Sequence, residues 1–141
     1  MKNVFEDVYV SGSLDVATPK IAGVAVGATA AEIDLQADVS AQTETSTGTS
    51  GALSVTKRIS NIDSTAGAGS RTLAAPDASM LGMVKIITMT VDGGDTTLAL
   101  TNVTGGSAAT TATFDAVNDT LVLVGGVSKW HVVGEAGVAL T

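Results

Sequence analysis

His131 is the chain's single histidine. A nucleophilic relay would need it held by an acid on one side and set against a serine on a strained turn on the other. No G-x-S-x-G segment occurs, and His131 falls mid-strand beside Trp130, where alternation turns it to solvent. Asp92-Gly93-Gly94-Asp95 offers paired carboxylates, the ligand chemistry of calcium. A calcium loop of the EF-hand kind demands more oxygen ligands at fixed spacing and a closing glutamate, which this segment lacks. Two glycines tolerant of positive φ read instead as a hairpin turn. Asn102-Val103-Thr104 and Asn118-Asp119-Thr120 match the N-glycosylation sequon. The opening Met1-Lys2-Asn3-Val4-Phe5-Glu6-Asp7 has acids where a secretory leader needs an apolar core, so the sequons carry no weight. Gly23, Gly27, Gly67 and Gly69 do not compose a phosphate-binding loop. Glu6, Asp7, Asp15, Glu32, Asp34, Asp38 and Glu44 lie in the N-terminal third, where desolvation would be too poor to raise a carboxyl for acid catalysis. The residues therefore point to no enzyme, no metal and no cofactor.

What could position such residues is a ladder of short strands. From Met83 onward the chain reads M-V-K-I-I-T-M-T-V, T-T-L-A-L-T-N-V, T-T-A-T-F, T-L-V-L-V and K-W-H-V-V, separated by D-G-G-D, T-G-G-S, A-V-N-D and G-G-V-S. Strands recurring at this spacing, with turn residues between them, imply an antiparallel β-sandwich or small open barrel. Leu98 and Leu100 share a face, as do Ala112 and Phe114, and as do Trp130 and Val132. Leu121-Val122-Leu123-Val124 is apolar on both faces and reads as a central strand covered on both sides. No internal repeat is visible, which argues against a solenoid or propeller.

Composition sets the limits. The 141 residues allow one domain and an appendage. Aromatic residues are 3% of the chain while apolar residues reach 45%, so the core must be built from Val, Leu, Ile, Ala and Met. High hydropathy with so few bulky groups suggests apolar surface buried against another chain. The formal charge of −7, with bases scattered along the chain, argues against nucleic acid. No run is long enough to span a membrane. The absence of cysteine excludes disulfides and thiolate ligands.

Two regions follow. Residues 1–51 read as an extended N-terminal arm, a short helix and a polar linker, and residues 52–141 as the antiparallel β-domain. Thr29-Ala30-Ala31-Glu32 has capping-box spacing, with Ile33 and Ala37 one turn apart, which predicts a helix fading by Val39 or Ser40. Ser40 to Gly51, S-A-Q-T-E-T-S-T-G-T-S-G, is nearly devoid of apolar side chains and reads as a loop.

Two segments carry a resemblance. Ala22 to Asp34, A-G-V-A-V-G-A-T-A-A-E-I-D, resembles a phrase that recurs in bacteriophage head-decorating and fibre proteins. Arg71 to Gly134 (R-T-L-A-A-P through K-W-H-V-V-G) looks like a domain of phage capsid decoration, or cement, proteins. The resemblance implies a structural virion protein on the outer surface of the head, assembled as a homotrimer and clamping neighbouring subunits of the major capsid protein. It implies an arm that binds the capsid by strand addition, for which the candidate residues are Val4, Phe5, Val8, Tyr9 and Val10, with Val24 and Val26 behind them. Phe114 and Trp130 become trimer-interface or core anchors. The alternatives are a head-fibre base, a tail component, or a receptor- or carbohydrate-binding β-module.

Overall fold

In the computed structural model the residues described are 20–21, 24–25, 40–105 and 109–141. The chain divides into two units, Met1–Ile33 and Asp34–Thr141. In the first, β1 (Lys20–Ile21) pairs antiparallel with β2 (Val24–Ala25). The helix expected near Thr29 lies outside the described residues, as do Val4, Phe5, Val8, Tyr9, Val10 and Val26.

The second unit follows from apolar residues alternating with Thr, Ser and charged ones, a pattern that buries one face of each strand. Its strands are β3 (Thr43–Ser46), β4 (Ser50–Leu53), β5 (Ile59–Asp63), β6 (Gly69–Leu73), β7 (Val84–Val91), β8 (Thr96–Leu100), β9 (Val103–Thr104), β10 (Thr111–Phe114), β11 (Thr120–Gly125), β12 (Trp130–Ala136) and β13 (Ala139–Leu140). They form a six-stranded sheet, β3-β5-β7-β11-β12-β9, and a five-stranded sheet, β13-β10-β8-β6-β4. The protein is mainly β. One apolar core draws on both sheets: Ile62, Ile87, Met89, Leu121, Leu123 and Trp130 from the first, Leu53, Leu73, Leu98, Ala112 and Phe114 from the second.

The sheets are mixed rather than antiparallel throughout. From β3 to β8 the chain alternates between sheets, and β3-β5-β7 and β4-β6-β8 run parallel. This stretch winds as a short coil of unequal turns, with Thr43 in register with Ile59, and Ile59 with Ile86. Because the turns differ in length, no period shows in the sequence. Antiparallel strands extend both sheets, β11 beside β7, β12 beside β11, and β10 between β8 and β13, while β9 ends the six-stranded sheet parallel to β12.

The coil changes the meaning of the glycine turns. Asp92–Asp95 is an arch carrying the chain from β7 to β8 in the facing sheet, not a hairpin. A Cβ on Gly93 would stand 2.3 Å from the Ser64 carbonyl oxygen, and one on Gly94 would stand 2.5 Å from the Ala68 nitrogen. The arch lies directly on the preceding one (64–68), and only bare backbone fits between them. Gly125–Lys129 is a true hairpin, closed by the Gly126 amide donating to the Lys129 carbonyl (2.8 Å).

The segment 40–51 is not a loop, so the β-domain begins earlier than residue 52. A 3-10 turn at Ser40–Gln42 leads into β3, and β4 follows. Both are edge strands. An edge strand has a neighbour on one side only and buries few side chains, here Leu53 alone on β4, so polar composition does not forbid it.

Candidate functional site

Alternation along β7 turns Lys85 inward, in phase with Ile87 and Met89, and its side chain is fully buried. Its Nζ donates to the carbonyls of Ser54 (2.8 Å) and Lys57 (2.9 Å) and to Ser60 Oγ (2.7 Å), using all three ammonium protons. Glu44 on β3 lies 3.8 Å away and accepts from Ser60 Oγ (2.5 Å) and the Ser54 amide (2.9 Å). Burial holds the Lys85 ammonium down at about 8, against the opposing pull of Glu44. The neighbouring Lys57 ammonium donates to the Ala41 carbonyl. These bonds tie β3 and the 54–58 loop to β7. Ser60 beside a depressed lysine has the makings of a nucleophile, but it too is fully buried and already committed to Glu44. The cluster therefore reads as structural.

Arg71 on β6 is a second buried cation. Its Nη2 donates to the Gly48 carbonyl, while Nε and Nη1 have no hydrogen-bond partner. Trp130 is likewise fully buried, with its indole N–H donating to the Ala74 carbonyl (2.8 Å). Phe114 is equally buried, so both aromatic anchors belong to the core of this chain. His131 faces outward, as its place in the alternation implies.

The surface offers two features. Beside the Lys85 cluster, Gln42, Thr56, Arg58, Ser79, Met80, Leu81, Gly82 and Met83 line an open cleft of about 360 Å³. Leu81 is 66% exposed at this cleft, and Arg58 makes no ion pair among the described residues. The cleft adjoins the outer face of the six-stranded sheet. There Ile59, Ile86 and Val122 stand in one row across three strands, and Val84 and Val124 in the next. Val84 and Ile86 are exposed, and Val122 and Val124 half-buried. Among the described residues, β11 packs into the core through one face, Leu121 and Leu123, where the sequence suggested cover on two.

Acids gather at the other end of the sheet. Asp119 accepts from the amides of Asp115 (2.8 Å) and Ala116 (3.0 Å), shaping the loop from β10 to β11. Asp119, with a smaller contribution from Asp95, raises the Asp115 carboxyl above the usual carboxylate range. Asp63 and Asp77 are lowered by the hydroxyls and amides of Thr65 and Ser79. Among the described residues no three His, Cys, Asp or Glu side chains are grouped to hold a metal ion.

The sequence reading missed Lys85, Glu44, Ser60 and the Arg58 cleft. The signal for Lys85 was present, since a lysine in phase with Ile87 and Met89 must point inward. For the cleft there was none, because its lining comes from segments distant in sequence. Of the residues proposed for capsid contact, Val24 falls in β2 and the others lie outside the described residues. No family model matches the chain, and no curated protein matches its sequence.

Proposed function

We propose that this chain is a structural protein of a bacteriophage virion, bound as a homotrimer to the outer surface of the head, where it clamps neighbouring major capsid subunits. The observation that carries the reading is the outer face of the six-stranded sheet, where Ile59, Val84, Ile86, Val122 and Val124 form a continuous apolar surface. Branched side chains ranged on a rigid sheet suit a flat contact with another polypeptide. The chemically capable groups nearby, Lys85, Glu44 and Ser60, are engaged in holding strands together. Support also comes from the phrases at Ala22–Asp34 and Arg71–Gly134 that resemble decoration proteins. Val4, Phe5, Val8, Tyr9 and Val10, with Val24 and Val26, are assigned to capsid contact by strand addition.

The test is co-sedimentation with phage heads lacking the protein, together with immunogold labelling of intact particles. Label over the whole head and saturable binding are expected. Deleting Met1–Lys20 is expected to abolish binding while the β-domain keeps its Trp130 fluorescence and melting transition. Binding retained after the deletion removes the arm from the mechanism. Label confined to the tail or one vertex moves the chain to a tail or head-fibre role.

A further inference from the structure

Most charged side chains of the second unit are sorted along the strand axis, the buried Arg71 and the Lys85-bound Glu44 apart. β5 and β7 run from Ile59 and Val84 toward Asp63 and Val91, and β11 runs back to Val124 beside Val84. At the Val84 end stand Lys57, Arg58 and, on the β11–β12 hairpin, Lys129. The acids there are engaged, Asp77 by Ser79 and Glu44 by Ser60 and the Ser54 amide. At the Val91 end stand Asp63, Asp92, Asp95, Asp115 and Asp119. Each end also carries exposed apolar groups. Leu81 is the apolar group beside Arg58, and Val91 and the 48%-exposed Val117 lie among the aspartates. The 116–119 loop is fastened to the end of β7 by the Asn118 amide donating to the Met89 carbonyl (2.8 Å), which brings Val117 and Val91 to one corner.

One end is therefore a cleft whose rim carries a guanidinium with no ion pair among the described residues, and the other is an apolar tip beside a group of carboxylates. They are separated by the length of β7, on the order of 25 Å at about 3.3 Å per residue. A tip cannot reach the cleft of its own molecule, so its complement is another molecule. We propose that the cleft lined by Met80, Leu81 and Met83 receives the Val117 tip of a second copy of this chain, with Arg58 meeting Asp115 head to tail. Methionines line the pocket, and their flexible thioether chains adapt to an incoming branched side chain. Like-charge crowding at Asp115, already felt from Asp119 and Asp95, is relieved by an arriving cation. A head-to-tail contact uses a different patch on each partner, and it closes into a ring when the rotation allows. The inference rests on the self-assembly part of the reading above and is independent of head binding.

The experiment is sedimentation velocity on the full chain, for wild type, Arg58→Glu, Asp115→Arg and the double variant. The wild type is expected to form a closed oligomer that weakens as salt rises. Each single charge reversal is expected to weaken association by on the order of tenfold or more, and the double variant to recover most of the loss. Both side chains are exposed, and Trp130 fluorescence confirms folding in each variant; Leu81→Asp tests the cleft without touching the charge pair. A wild type that stays monomeric, single variants that associate normally, or a double variant that fails to recover would each overturn the contact. An oligomer that ignores phage heads leaves the contact standing and removes the decoration role. Head binding by a monomer does the reverse.

Discussion

Lys85 shows how a single residue can join two segments while opposing folding at neutral pH. Its folded value of about 8 lies below the 10.5 of an exposed lysine, so between those pH values the unfolded chain holds more protons than the folded one. Its contribution to stability therefore rises with pH across that window, and the full cost of burying the charge is felt below about 8. Removing the amine is nonetheless damaging, because Ser60 and the carbonyls of Ser54 and Lys57 lose their donor and Glu44 its counter-charge. Lys85→Met is expected to cost about 2–4 kcal/mol at pH 7. Denaturant titrations at several pH values should then show the wild type gaining on the variant between pH 8 and 10.5. Gly137 offers a harder test of packing. Its φ is +79°, and a Cβ there would stand 1.9 Å from Asp119 Oδ1, the carboxylate that shapes the 115–119 loop. Gly137→Ala is expected to lose about 3 kcal/mol or more in thermal unfolding.

At the scale of elements, the stacked arches are the distinctive device. Gly93→Ala must push a methyl group into the Ser64 carbonyl, whereas Gly48 has open space and faces only its φ of +82°. Gly93→Ala should therefore lower the denaturation midpoint well beyond Gly48→Ala, by about 2 kcal/mol more when converted to stability. The same arches explain what the sequence could and could not tell. Alternation put Leu98 with Leu100 and Ala112 with Phe114 on shared faces, which are the faces that form the core, and turn residues marked where strands end. D-G-G-D reads alike whether the chain returns beside itself or crosses to the facing sheet. That choice is made by Ser64 and Ala68, nearly thirty residues upstream. β3 and β4 were hidden for a related reason. Their residues are polar because they sit at sheet edges, and Glu44 is acceptable only because Lys85 reaches it from β7.

At the scale of the molecule, separation of charge along the strand axis coexists with an apolar flank. The two suit different partners: the ends complement each other, while the flank, uncovered among the described residues, suits a third surface. Ionic strength distinguishes them, since salt screens the contact between the ends far more than the apolar one. Self-association is expected to fall as salt rises, measured by sedimentation, while binding through the flank changes little.

The coil from β3 to β8 also bears on how quickly the protein reaches its structure. None of these strands pairs with its neighbour in sequence; β3 waits for β5, β5 for β7 and β7 for β11. Each ladder must close a loop before it gains a hydrogen bond, and such topologies fold in milliseconds to seconds rather than microseconds. On a ribosome β3 and β4 emerge before their partners β5 and β6 and wait with both edges unpaired. Exposed strand edges of that kind seed aggregation. Their content of Ser, Thr and Gly, so uninformative as a fold signal, is poor material for such pairing between chains.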